Sequence, residues 1–304
     1  MPKVSVNIPC YNGEKFIAKT IQSVLNQTFS DFEIVIINDG SSDRTEEIVR
    51  KFTDPRIKYF SQVNHGLAYT RNRAVSLSSG EFIGLLDQDD AWLPQKLERQ
   101  IELFDRNPTL GLVYSESYLV YPEGMKVLAS RFFNYRRGYV FKEMLSDYFI
   151  VVSTAIVRKS VVDEFGGFPN YRIAEEFALF LKIAEKYPID FVHEPLVEYL
   201  YHEANTSRHL EVNLREVEEI YGYWSEKGDD EIRNICKISL GKHHYGLGRR
   251  ALFHLNDKTQ AKHYIKGSFQ YQRKFKYFAF WVFCFFPIWL IQGVRKFLLS
   301  MSSK

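Results

Sequence analysis

Between Lys3 and Leu86 four short runs of β-branched and aromatic residues (VSVNIP, FEIVIIN, IKYFS, EFIGLL) alternate with stretches of helical periodicity that begin near Glu14, Thr45 and Leu67. That order predicts βαβαβαβ, an α/β chain built on a mostly parallel sheet with helices on both faces. Such strands bury both faces, and ligands gather outside their carboxyl ends. Functional side chains are therefore expected just after each strand. CYNGE follows the first, Asn38 to Asp43 (NDGSSD) the second, and Asp87-Gln88-Asp89-Asp90 the fourth.

Further along, a helix is predicted from about Pro94, a residue suited to a first helical turn, to about Arg106. Residues 111 to 205 read as mixed α and β: strands at GLVYSESYLV and VSTAIVR, a helix from Glu175 to Lys186, and strands near IDFVH and LVEYLYH. Beyond Ser207 the pattern is helical, interrupted around Gly228 and Asn256.

A hydrophobic share of 45% with 25% charged residues excludes a disordered, collagen-like or multi-span membrane chain, and 304 residues suffice for two domain-sized units. Three scattered cysteines (Cys10, Cys236, Cys284) form neither a disulfide framework nor a zinc spacing, so a reducing compartment is expected. Met1 leads straight into a strand with no export signal. The net charge of +3 hides an asymmetry: no Asp or Glu follows Asp257, whereas nine Lys or Arg do. A basic, aromatic tail on an acidic body predicts an anionic membrane surface rather than nucleic acid as its partner. Within it Tyr277 to Val294 carries no charge, is bracketed by basic residues and is interrupted by Pro287. An interfacial helix, a single span and a buried core helix are all open; the flanking cations favour the first.

Three carboxylates within four residues repel one another, so Asp87, Asp89 and Asp90 invite a divalent cation, Mn²⁺ or Mg²⁺, that keeps positions open for phosphate oxygens. The plainer alternative is a solvated acidic loop with a capping Asp. Asp39 is placed to accept hydrogen bonds from a base or ribose, Gly40 to make a tight turn, and Ser42 or Asp43 to cap the next helix.

In their order, VSVNIPCYNGEKFI, TIQSVLNQTFSDFEIVIINDGSSDRT, HGLAYTRNRAVSLSSGEFIGLLDQDDAWLPQKLE, GGFPNYRIAEEFALFLKIA and YHEANTS resemble the inverting family 2 glycosyltransferases of the GT-A fold, over about residues 3 to 207. The resemblance implies a Rossmann-like GT-A domain over residues 1–207, with 1–110 on the nucleotide sugar and 111–207 on the acceptor side, then a helical extension over 208–272 and a membrane-associating segment over 273–304. It places Pro9, Tyr11 and Glu14 near the base and ribose, with Tyr11 stacking on a pyrimidine or merely half-buried, and has Asp39 recognise the base. Arg71 would face the donor or the carboxylate loop, with Asp87 and Gln88 beside the donor. Asp87 and Asp89 match the family's metal-binding pair, His202 would complete the metal shell or touch the diphosphate, and Asp90 would support the ligands or cap a turn. After the turn Gly166-Gly167-Phe168 stand Glu175 and Glu176; Glu176 takes the general-base position, a Glu where the family usually has Asp. The pair would equally suit a helix's first turn on macrodipole grounds alone. Leu200 stands where the family usually carries an Arg, and Trp92 either lines the acceptor pocket or packs the core.

The implied function is metal-dependent, inverting transfer of a sugar from a nucleotide diphosphate sugar, UDP-linked by default, to a hydroxyl of a glycan or lipid-linked acceptor. The work would be done in the cytoplasm at the inner face of the cell membrane. The departures at Glu176 and Leu200 motivate the alternative of a nucleotide-sugar-binding member with little or no transfer activity. A nicotinamide oxidoreductase is disfavoured because CYNGE stands where a GxGxxG turn would follow the first strand, and a nucleotidyltransferase because that loop lacks a Gly-rich basic cradle.

Overall fold

The computed structural model describes residues 1–122, 124–201, 209–253, 255–287, 289–291 and 293. The chain divides into two compact units, Met1–Met144 with Tyr148–Asn205, and Leu145–Asp147 with Thr206–Lys304.

In the first unit β1 (Val4–Cys10) and β2 (Phe32–Asp39) are buried at every position, as inner parallel strands must be. Helix α1 (Ile17–Leu25) connects them, and its buried Ile17, Ile21 and Val24 fall on one face. There follow α2 (Thr45–Val49), the half-exposed edge strand β3 (Ile57–Gln62), α3 (Leu67–Leu77) and β4 (Phe82–Leu85). β1 pairs in parallel with both β2 and β4, and β2 with β3, as the alternation in the sequence predicts.

After the acidic loop come β5 (Ala91–Trp92), α4 (Lys96–Arg106), β6 (Leu112–Val120), β7 (Lys126–Leu128), α5 (Phe141–Ser146), β8 (Ile156–Arg158), α6 (Lys159–Glu164), α7 (Glu175–Lys186) and β9 (Ile189–Leu200). The sheet runs β3-β2-β1-β4-β8-β6-β9-β5, with β7 paired to β6. β8 is antiparallel to both β4 and β6, so β6 again runs as β4 does, and β9 lies parallel to it. The carboxyl ends of β1, β2, β4, β6 and β9 thus share one edge, where the polar loops collect.

Two sequence expectations are corrected here. VSTAIVR is a strand only over Ile156–Arg158; Val152–Thr154 forms a 3-10 turn, which the Thr154 hydroxyl closes by donating to the Val151 carbonyl at 2.6 Å. IDFVH and LVEYLYH are not two strands, because β9 continues from Ile189 to Leu200 by absorbing a register irregularity opposite Ser115 to Ser117. Trp92 is core: its indole N–H donates to the Ser153 carbonyl at 2.8 Å, its ring fills the space above Gly84, and Lys96 Nζ lies 4.2 Å from its centre.

The second unit contains α8 (Leu210–Lys227), α9 (Asp230–Phe253), α10 (Lys258–Tyr271) and α11 (Phe275–Phe283). The chain turns at Asn256, whose φ is 55°, and Asp257 caps α10 by accepting from the Thr259 and Gln260 amides. Leu210, Leu247, Leu252, Tyr264, Cys284 and Ile291 share one apolar cluster. His243 and His244 pack: burial pushes the His243 imidazole down to about 3, and His244 meets Glu218 at 3.2 Å. No helix among the described residues is long and apolar enough to cross a membrane. Instead the C-terminal segment has two sides. Tyr277, Cys284 and Ile291 are buried, while Phe275, Phe278, Val282, Phe285 and Trp289 recur every three or four residues and are exposed.

Candidate active site

The acidic loop leaves β4 and is held from three directions. Asp90, 1% exposed, accepts from the Ser153 hydroxyl through one oxygen and from the Leu200 amide at 2.9 Å through the other. The same Ser153 oxygen accepts from the Asp87 amide at 3.1 Å, and the Thr20 hydroxyl lies 2.6 Å from the Gln88 carbonyl and 2.8 Å from that of Asp90. Burial, reinforced by the charges of Asp89 and Asp87, raises the Asp90 carboxyl well above the usual carboxylate range. Asp90 is therefore the loop's buried support, and Asp87 and Asp89 keep partial exposure above it.

The loop after β1 is stitched to its neighbours. Asn12 takes a left-handed conformation, its amide donates to Ser41 Oγ at 2.9 Å, and its side-chain carbonyl accepts from the Ser42 amide at 2.9 Å. The Gly13 amide donates to Thr45 Oγ1 at 2.8 Å and the Glu14 amide to Asp43 at 3.0 Å. Burial alone would raise the Asp43 carboxyl, but hydrogen bonds from Thr45 and Glu14 outweigh it and hold it below its ordinary value. Pro9 is buried in β1, the Glu14 carboxylate meets Arg44 at 3.3 Å, and the Tyr11 side chain stands 49% exposed at the edge. Gln88 exchanges two hydrogen bonds with the Tyr11 backbone.

Asp39, 4% exposed, is occupied by its own chain: it accepts from Gln62 Nε2 at 2.6 Å and from the His65 and Gly66 amides at 2.9 Å each. These amides lead into α3, so the carboxylate both shapes the loop and sits at that helix's positive end. Oδ1 takes the bonds from Gln62 and His65, and Oδ2, which takes that from Gly66, keeps capacity to accept a further one.

Arg71 ties the halves of the site together. From α3, 3% exposed, it reaches Asp87 at 2.7 Å with Nη2 and Glu175 at 3.1 Å with Nη1, and Glu176 lies 4.0 Å from that nitrogen. Burial would lower the affinity of the guanidinium for its proton, yet the carboxylates of Asp87, Glu175 and Glu176 outweigh it and raise the pKa. Glu175 has no exposed side-chain surface and Glu176 retains 19%. Burial, with the neighbouring Glu175 charge, pushes the Glu176 carboxyl up to about 8, while Arg71 pulls the other way. A carboxyl at the start of α7 that is partly open and close to neutral pH has the properties of a general base.

The structure brings Arg71, Asp87, Glu175 and Glu176 into one cluster, with Asp89 in the same loop as Asp87; Tyr11 and Gln88 lie next to it through their mutual bonds. His202 lies outside the described residues. Among these, no three His, Cys, Asp or Glu side chains converge on a single ion position. Asp87 and Asp89 nonetheless fit a hard divalent cation by their chemistry, since both offer only oxygen and such an ion fills its other positions with phosphate and water.

Several residues that matter here carry no signal in the sequence. Asn72 donates to the Phe168 carbonyl at 2.8 Å and accepts from its amide at 2.7 Å, fastening the Gly166-Gly167-Phe168 turn to α3. Gly167 has a φ of 81°, and a Cβ there would stand 2.3 Å from Asn72 Oδ1, so both conformation and space demand glycine. Thr20 and Ser153 likewise hold the acidic loop through partners distant in the chain.

Comparison with known proteins places the chain in a family. Residues 5–166 match the family model of glycosyl transferase family 2. A chondroitin synthase of Pasteurella multocida is 40% identical over 126 residues, which is 41% of this chain but only 13% of that relative's length. An Escherichia coli UDP-Glc:alpha-D-GlcNAc-diphosphoundecaprenol beta-1,3-glucosyltransferase is 29% identical over 238 residues, 77% of this chain and 89% of that one. Among solved structures, residues 1–349 of TarS from Staphylococcus aureus, in complex with UDP-GlcNAc, superpose with a TM-score of 0.69, covering 88% of this chain and 81% of that one at 21% identity, a likeness of fold. With its first eight strands, its acidic loop and more than half its length matched, the chain belongs to glycosyl transferase family 2.

Proposed function

We propose that the chain is an inverting, metal-dependent glycosyltransferase that moves a sugar from a nucleotide diphosphate sugar, by preference UDP-linked, to a hydroxyl of a glycan or lipid-linked acceptor. The observation that carries this reading is Arg71, which bridges the acidic loop and the glutamate pair within 4.0 Å. A donor-side charge cluster and a candidate base are thereby held on opposite sides of one guanidinium.

Tyr11 offers an exposed ring to the base, and the loops after β1 and β2 line the nucleotide. Asp87 and Asp89 would hold Mn²⁺ or Mg²⁺, which offsets negative charge on the diphosphate as it leaves. Glu176 accepts the proton of the acceptor hydroxyl while its oxygen attacks the anomeric carbon. The bond from that carbon to the diphosphate breaks in the same displacement, so the configuration inverts and the nucleoside diphosphate departs. Glu175, fully buried against Arg71, holds the charge balance rather than the proton. The name of the E. coli relative, with its UDP-linked donor and diphosphoundecaprenol-linked acceptor, supports the same classes here. The exposed aromatic side of the C-terminal segment, flanked by Arg273, Lys274 and Lys276, supports work at the inner membrane surface.

The test is donor turnover. With Mn²⁺ present the purified chain should release nucleoside diphosphate from UDP-glucose or UDP-N-acetylglucosamine, and Asp89→Ala should not. Nucleotide binding with both proteins silent would support the binding-only alternative. A thermal-shift screen of nucleotide sugars would identify the donor, because selective binding to the native state raises the melting temperature.

A further inference from the structure

From Gly124 to Lys142 the chain carries Lys126, Arg131, Arg136, Arg137 and Lys142 and no acidic residue. All five cations are exposed, and so are the large side chains of Phe132, at 60%, and Tyr139, at 73%. Lys126 is paired with Glu198 at 2.5 Å. Among the described residues neither Arg136 nor Arg137 has a carboxylate within ion-pair distance. Two neighbouring guanidinium groups left without counter-charges on a protein surface repel one another, a situation an anionic ligand relieves.

The segment has a fixed base. Glu116 on β6, 4% exposed, accepts from the Ser117 amide at 2.8 Å, from the Ser130 amide at 3.3 Å and from the Tyr135 hydroxyl at 2.9 Å. The Tyr114 hydroxyl donates to the Arg136 carbonyl at 2.6 Å and accepts from its amide at 2.8 Å, and Gly138 exchanges backbone bonds with Ile189 at 2.8 and 2.9 Å. Arg136 and Arg137 are thus presented from pinned backbone. Ring contacts lead from there toward the candidate base: Tyr135 to Tyr114 at 5.6 Å, Tyr114 to Phe149 at 5.7 Å, and Tyr148, next in the chain to Phe149, to Phe177 at 4.9 Å, beside Glu176.

We infer that residues 126–142 form a docking surface for an anionic glycan, the part of the acceptor chain that lies behind the sugar being extended, with Arg136 and Arg137 on its carboxylate or phosphate groups and Phe132 and Tyr139 against its sugar rings. The inference rests on the transferase reading and names the acceptor class for that site. A glycan fits better than a bilayer because the exposed apolar side chains of the segment, Leu128, Phe132 and Tyr139, are scattered among five cations, whereas the C-terminal segment offers a continuous aromatic face.

The experiment uses the full chain, its double variants Arg136→Ser/Arg137→Ser and Arg136→Lys/Arg137→Lys, and three probes: an oligogalacturonate hexamer, neutral maltohexaose, and vesicles containing phosphatidylglycerol. Calorimetry should show the anionic hexamer binding about tenfold more tightly than the neutral one, an advantage lost in the serine variant, kept in the lysine variant and weakened by salt. Equal affinity for the two hexamers would overturn the inference. So would a serine variant that keeps the hexamer and loses the vesicles, which would assign these cations to lipid headgroups. Release of nucleoside diphosphate from the donor by the wild type, measured alongside with no acceptor present, tests the transferase reading separately. Its absence in the wild type would overturn the transferase reading itself, whereas its presence without anion preference would overturn only the glycan surface.

Discussion

Gln88 and Tyr11 are joined by a reciprocal pair of hydrogen bonds: Gln88 Oε1 accepts from the Tyr11 amide at 2.9 Å, and Gln88 Nε2 donates to the Tyr11 carbonyl at 3.0 Å. A Cβ at Gly13 would stand 2.2 Å from the same Oε1, so the glycine makes room for the amide. The loop that carries the carboxylates and the loop that presents the Tyr11 ring are consequently one rigid piece. Gln88→Glu replaces the donating NH₂ with an acceptor facing a carbonyl. It should lower stability by about 1 kcal/mol and raise the KM for the donor. An unchanged donor KM would show that the two loops are not coupled.

Arg71 is the most consequential single side chain of the site. Arg71→Leu leaves Asp87, Glu175 and Glu176 without their shared cation in a buried setting, and should destabilise the fold by about 3 to 5 kcal/mol. Arg71→Lys keeps the charge but not the two-pronged geometry, and should fall between that variant and wild type. Urea denaturation of the three proteins orders them; equal midpoints would contradict the bridging role.

The raised carboxyl of Glu176 makes a signed prediction. As a base it must be ionised, so kcat/KM of the free enzyme should climb with pH along an acidic limb centred near 8. Stability follows the opposite course. The folded chain holds this proton more tightly than the unfolded one, so the contribution is complete below the ordinary carboxylate range and is lost as pH rises toward about 8. Glu176→Gln should remove both effects and lower kcat by about 100-fold or more while leaving donor KM near wild type. A pH profile that keeps its acidic limb in this variant would assign the base elsewhere.

The exposed side of the C-terminal segment predicts lipid binding. Replacing Phe275, Phe278 and Trp289 together with Ser removes large apolar surface that is 83%, 51% and 75% exposed, so the fold should not suffer. Co-sedimentation with phosphatidylglycerol vesicles should drop by about tenfold or more. Sedimentation equal to wild type would remove the membrane role.

Much of this site is legible before any coordinates because strand ends are predictable. Once four parallel strands are read, Asp87, Asp89 and Asp39 must gather at one edge, whereas Arg71 is singled out only by the family resemblance of its TRNRA stretch. The remainder is written in pairings that local patterns do not reveal. Ser153 looks like a strand residue within VSTAIVR, yet its hydroxyl holds both Asp87 and Asp90 from 66 and 63 residues away. Lys96, in the first turn of α4, is fully buried, bonded to Gln100 and to the Thr154 carbonyl, and desolvation drives its pKa well down, which no local pattern marks. Asp39 shows the converse, a carboxylate identified by position whose hydrogen bonds go largely to its own chain.

The bond pair between Asn72 and Phe168 closes a span of 96 residues. During synthesis the first four strands and their loops leave the ribosome well before the turn that positions Glu175 and Glu176. A chain interrupted between these points would lack the turn and the glutamate pair that Arg71 faces. On the proposed reading, this late clasp onto α3 is the step that brings the candidate base to the donor side.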